Sequence, residues 1–199
     1  MTLRKIARAG HPVLRQRAGE LQPEALATPE VQRLIDDMVE TMRDAGGAGI
    51  AAPQVHEPVR IAVLEVRANR RYPGLPSIPL TVLVNPVLTA LVGSLGAPLD
   101  ERDAVTMYEG CLSVPGLRGR VRRPRRVSVT ALDRHGHELR FAWEGLASSV
   151  VQHECDHLDG VLFIDRAEPG TLMFLDEYEQ HVPLEERMID GGLSPQGPG

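Results

Sequence analysis

His153-Glu154-Cys155-Asp156-His157 follows an apolar approach through Leu146, Val150 and Val151 and is closed by Gly160, which predicts one helix over Leu146–Leu158. Residues four apart share a helix face, so both imidazoles reach one point while Glu154, one residue along, leans toward the position beside it. Two imidazoles flanked by a carboxylate are the donor set of an H-E-x-x-H metal site, with the glutamate placed as general base. The plain alternative is a pair of satisfied histidines in a core or on a surface. The apolar approach weighs against it, because neutral imidazoles lowered into a core need partners. Two imidazoles also leave a catalytic zinc or ferrous iron one protein ligand short.

The missing ligand has two thiol candidates, Cys111 and Cys155, and two cysteines cannot make a disulfide framework. Cys155 sits in the middle of the helical motif and points away from both histidines, which suits a structural role. Cys111 lies in Glu109-Gly110-Cys111-Leu112-Ser113-Val114-Pro115, where Gly110 lets backbone approach closely and a thiol between strands can face inward. A buried free cysteine is otherwise a small hydrophobe. A third segment, Gly47-Ala48-Gly49-Ile50-Ala51-Ala52-Pro53-Gln54, has little side-chain bulk, so an extended peptide can lie against it, and Gln54 offers an amide donor. The same segment could be a plain helix exit. It lacks the lysine and spacing of a phosphate loop.

A chain of 199 residues suits one domain, here expected over 1–190, with the Gly/Pro-rich stretch 191–199 a disordered tail. Hydrophobic content of 42% and charged content of 25% exclude collagen-like and wholly disordered classes, and 4% aromatics leave the core to aliphatics. A net charge of -5 argues against DNA binding through bulk charge. No signal-like apolar stretch and no run long enough to span a bilayer is visible, which predicts a cytoplasmic protein without a membrane contact. Thr28 as N-cap, Pro29 and Glu30 start a helix whose stripe Val31, Leu34, Ile35, Met38, Val39 and Met42 faces a core, and Gly46 and Gly47 stop it. Strands are expected over 59–66 and 80–92, a hairpin from 121–132 and 138–143, and a short helix over 171–178. Strands in a block between two helices, without βαβ alternation, predict an α+β fold with antiparallel sheet.

Together G-x-G-x-A-A-P-Q, E-G-C-L-S-V-P and Q-H-E-C-D-H-L-D-G, in this order, with an early His11-Pro12-Val13-Leu14, closely resemble peptide deformylases over about 4–165. No H-x-x-G-x-x-H extension follows His157, unlike many H-E-x-x-H peptidases. The resemblance implies antiparallel sheets around a central metal-binding helix and removal of formyl groups from N-formylmethionyl nascent peptides. It implies Cys111, His153 and His157 as ligands of one divalent metal, ferrous iron in the cell with zinc or nickel as alternatives. Glu154 would be general base and then acid; the N–H of Leu112 and the amide of Gln54 would hold the oxyanion. Substrate would lie as an added strand against Gly47, Ala48, Gly49, Glu109 and Gly110, its methionine in a slot of Ala48, Met107, Leu146, Val150 and the His153 ring, with Arg118 contacting it. The arginine-rich run 118–126 reads as a solvated edge strand, or as a contact with ribosomal RNA. The acidic C-terminal region speaks against docking on the ribosome by a basic helix there. A zinc endopeptidase and a noncatalytic metal-holding binding module are the competing functions.

Overall fold

The structure is a computed structural model that describes residues 2–67, 77–91 and 100–187. In chain order it contains α1 (Pro23–Leu26), α2 (Pro29–Asp44), β1 (Gly49–Ala51), β2 (Ile61–Val66), β3 (Ile78–Ala90), β4 (Ala104–Cys111), β5 (Val114–Pro124), β6 (Arg126–Leu132) and β7 (Glu138–Glu144). There follow α3 (Leu146–Leu158), α4 (Phe163–Arg166), β8 (Met173–Phe174), α5 (Leu175–His181) and α6 (Leu184–Arg187). Single 3-10 turns stand at Pro12–Arg15, Ala52–Val55 and Glu101–Asp103.

Five strands form one antiparallel sheet in the order β1-β2-β3-β6-β7, and β4-β5-β8 form a second. The α+β expectation therefore holds. Successive strand residues face opposite sides, and the larger sheet uses both. Ile50, Ile61, Val63, Val82 and Val84 pack on the Leu34, Ile35, Met38 and Met42 stripe of α2. Ala51, Ala62, Leu64, Leu83, Val127 and Val129 pack on Val151, Cys155 and Leu158 of α3. The sheet is thus sandwiched between the two main helices, and Cys155 is spent on its packing, as its position in the motif suggested. Each buried aliphatic contributes about 1.5–3 kcal/mol, so α3 is firmly set. The smaller sheet packs through Cys111, Val114 and Val121 on Val13, Leu14, Leu162 and Phe163.

Helix α2 begins as its sequence predicts, with the Thr28 side chain accepting from the Val31 N–H. Helix α3 has the predicted bounds, and its end is held tightly. The Ala18 N–H and Nη1 of Arg60 both donate to the Leu158 carbonyl, satisfying a helix-end acceptor. Gly160 has φ +76, and a Cβ there would meet the Arg15 carbonyl carbon at 2.9 Å, so this exit admits only glycine.

Two expectations are corrected. The stretch 121–132 is not one strand: Val121–Pro124 closes β5 in the small sheet, while β6 belongs to the large one. Pro124 has no N–H with which to continue a ladder, and the Arg125 N–H turns instead to the Asp103 carbonyl at 2.8 Å. The stretch 171–178 is not one helix either. Thr171 Oγ1 accepts from the Arg120 N–H, Met173–Phe174 pairs with Leu117–Arg118, and helix begins only at Leu175. The 80–92 strand starts two residues earlier and ends at Ala90, with Leu91 in a bend; Val92 and the tail 191–199 lie outside the described residues. The β4–β5 hairpin, rich in glycine and proline, carried no clear strand signal.

Candidate metal centre and peptide cleft

Helix α3 supplies His153 and His157, and the last residue of β4 supplies Cys111; one donor atom from each lies within 4.8 Å of the other two. Cys111 Sγ is 3.2 Å from His157 Nε2. The β4–β5 turn aims the sulfur: the Ser113 N–H, two residues on, points at Sγ at 3.3 Å.

The opposite edge of His153 is fixed by a carboxylate. Its Nδ1 lies 2.8 Å from Glu109 Oε2, which leaves Nε2 for the Cys111 side. Glu109 is itself clamped, by Arg123 through Nε at 2.5 Å and Nη2 at 2.9 Å and by the Ser149 hydroxyl at 3.1 Å. Arg123 continues to Asp156 at 2.8 Å, and Arg166 holds both Asp156 oxygens at 2.6 Å. Burial would raise the Glu109 carboxyl, but Arg123 and His153 overcome it and hold the group well below the usual carboxylate range. Burial acts against charge on His153 too, yet Cys111 and Glu109 raise its affinity for a proton well above the ordinary value. The surroundings of His153 thus favour positive charge. For His157 burial dominates and keeps the ring neutral, with Nδ1 buried and without a hydrogen-bond partner among the described residues. A thiol and two imidazoles brought together, in a place that favours positive charge on His153, fit a divalent metal, which would take the place of that proton.

Glu154 is buried beside this cluster, and its Oε2 has no hydrogen-bond partner among the described residues. Burial pushes its carboxyl up, against the pull of His153, to about 7. Gly49 makes room for it: a Cβ there would stand 2.4 Å from Glu154 Oε1. Gln54, in the 3-10 turn after β1, is fully buried with its amide oriented. Its Oε1 accepts from the Ala51 N–H at 2.8 Å, and Nε2 faces Ser113 Oγ at 3.2 Å and Cys111 Sγ at 3.5 Å.

A cavity of about 410 Å³ opens over these groups. It is lined by Gly47, Ala48, Gly49, Gln54, Met107, Glu109, Gly110, Cys111, Leu112, Arg118, Val150, His153 and Glu154 among the residues expected from sequence. Leu146 is half-buried and lies off the lining, one turn before Val150. Glu109 reaches the lining, but both its oxygens are engaged within the protein, so it orients His153 in this structure.

The 118–126 run is not a uniform solvated edge. β5 has β4 along one side and β8 at Leu117–Arg118, and Gly119, Val121 and Arg123 alternate inward. The Arg123 side chain is only 3% exposed. Ser149, Asp156, Ser113 and the lining residues Tyr108 and Leu175 escaped sequence reasoning; for Arg123 the period-two alternation with Val121 was the available signal.

Comparison with known proteins follows the same lines. The family model described as polypeptide deformylase matches residues 3–172. Peptide deformylase of Leptospira biflexa is 40% identical over 191 residues, spanning 96% of this chain and all of that protein. Peptide deformylase 1 of Prochlorococcus marinus is 44% identical over 189 residues, 94% of this chain and 92% of that one. Among solved structures, the Met-Ala-Ser-bound class I type b peptide deformylase of Acinetobacter baumannii superimposes with a TM-score of 0.74 at 34% identity, covering 83% of this chain and 98% of that one.

Proposed function

Because the chain belongs to the polypeptide deformylase family, we propose that Cys111, His153 and His157 hold the catalytic metal and that Glu154, Gln54 and Leu112 carry out the chemistry around it. The protein is a metal-dependent hydrolase that removes the formyl group from the N-terminal formylmethionine of new polypeptides: water and the formamide give formate and a free amine. The observation that carries the residue assignment is the Cys111–His153–His157 cluster, of which Cys111 and His153 line the cavity together with buried Glu154. When bound, the metal acidifies water and polarises the formyl carbonyl.

Glu154 takes a proton from the attacking water and later delivers it to the nitrogen of the leaving amine; a carboxyl near 7 suits both transfers. Gln54 Nε2 and the Leu112 N–H hold the oxygen that gains negative charge as the carbon becomes tetrahedral. Among the described strands β1 pairs with β2 alone, so an extended peptide adds along Gly49 and the preceding Gly47 and Ala48 and meets Gly110 across the cavity. Met107, Val150 and Ala48 form the apolar wall for the formylmethionine side chain, and Arg118 contacts the substrate.

Ferrous iron is the cellular metal in this proposal; the Cys/His₂ donor set accepts zinc or nickel as well. The protein works in the cytoplasm as one domain over 1–190. Exposed Arg120, Arg122 and Arg126 support contact with ribosomal RNA. No helix among the described residues is long and apolar enough to cross a membrane. The test is formate release from formyl-Met-Ala-Ser by protein purified without oxygen: formate with about one metal per chain is expected, and internal peptide cleavage instead would make the protein an endopeptidase.

A further inference from the structure

We propose that Ser113 is a positioning residue for Gln54: its hydroxyl fixes one amide hydrogen so that the other is left for the reacting oxygen. The inference rests on the assignment of Gln54 as oxyanion donor. A carboxamide can rotate about its last bond and can present oxygen or nitrogen, so donation needs something to choose. The Ala51 N–H at 2.8 Å takes the Oε1 end. That leaves two Nε2 hydrogens and two acceptors of unequal quality, Ser113 Oγ at 3.2 Å and Cys111 Sγ at 3.5 Å. Sulfur is the weak acceptor. The hydrogen facing the cluster is therefore loosely held and its hydrogen bond can be redirected to the substrate oxygen, whereas the hydrogen facing Ser113 anchors the group.

Burial makes the arrangement specific. Ser113 is fully buried and Gln54 is 1% exposed, so water does not replace a lost acceptor at ordinary cost. The backbone around the pair is fixed independently, the Ala7 N–H donating to the Gln54 carbonyl and the Ala9 N–H to the Ser113 carbonyl, both at 2.8 Å. Both of these bonds join backbone atoms, and the donation to Cys111 Sγ comes from the backbone N–H of Ser113. Ser113→Ala therefore removes the hydroxyl alone and keeps the thiol's hydrogen bond.

The experiment measures formate release, bound metal and the Gln54 side-chain amide resonances for the parent, Ser113→Ala, Gln54→Ala and the double variant. Ser113→Ala is expected to keep its metal and its KM and to lose about 5–10-fold in kcat, the worth of one hydrogen bond. It should also lose the separation and exchange protection of the two Gln54 amide protons. In the Gln54→Ala background the same change should cost less than about 2-fold, since there is no amide left to position. Equal losses in both backgrounds would show a merely structural role, and an unchanged kcat with unchanged amide resonances would overturn the proposal outright. If Ser113→Ala does not fold, Ser113→Cys, close in shape and a poor acceptor, carries the same expectations. A parent that releases no formate would instead overturn the functional assignment, whatever the amide resonances show.

Discussion

Arg123→Met is the substitution on which two descriptions of β5 differ most. On a solvated edge strand an arginine contributes about 0–1 kcal/mol through ion pairs. In the structure its side chain is 3% exposed between Glu109 at 6% and Asp156 at 11%. Removing one member of a buried ion pair costs about 3–5 kcal/mol, because the partner charge stays behind. Each kcal/mol lowers Tm by about 2–4 °C in a domain of this size, giving a range of about 6–20 °C. Asp156 keeps two bonds from Arg166, and Glu109 keeps His153 and Ser149, which places the expected loss in the lower half, about 6–12 °C. Adding Glu109→Gln removes the stranded charge and should recover part of it. Thermal melts of the metal-loaded parent, single and double variants read this directly. A single variant melting within about 2 °C of the parent would refute the reasoning.

Gly49→Ala puts a methyl group 2.4 Å from Glu154 Oε1, so the carboxylate must move while the metal ligands do not. Activity should fall about 10–100-fold at unchanged metal content, since displacements near 1 Å cost about that much; wild-type turnover would contradict it. Stability should also respond to acid. The Arg43 hydrogen bond to Glu65 and the Arg15 hydrogen bond to Asp165 lower both carboxyls, burial opposing. Groups lowered by folding contribute stability above their unfolded value, near about pH 4, and lose it as pH falls through the folded one. A Glu65→Gln/Asp165→Asn variant should melt below the parent at neutral pH, with the gap closing below about pH 4; a gap of constant size would contradict it.

Much of the scaffold was readable because its signals are local. Thr28, Pro29 and the apolar stripe define α2 within one segment, and the bounds of α3 follow from its apolar approach and Gly160. Cys111 could be brought to His153 and His157 only by weighing thiols and by resemblance, since β4 and α3 are joined through long-range packing. What stayed hidden depends on tertiary pairing. The turn from β5 to β6 at Arg125 interrupts no hydrophobic pattern, so 121–132 reads as one strand. Arg123 looks like its exposed neighbours Arg120 and Arg122 until β5 is placed against α3. Glu109 reads as part of a substrate segment, yet its oxygens go to Arg123, Ser149 and His153. Ser113 has an unremarkable side chain whose meaning depends on where the Gln54 carboxamide lies.

The assignment of ligands and base is tested most directly by metal content and formate release measured together on the parent, Cys111→Ala and Glu154→Ala, all purified without oxygen. About one metal and full turnover are expected in the parent, loss of metal in Cys111→Ala, and retained metal without turnover in Glu154→Ala. A Cys111→Ala protein with full metal, or a Glu154→Ala protein with full turnover, would contradict the assignment.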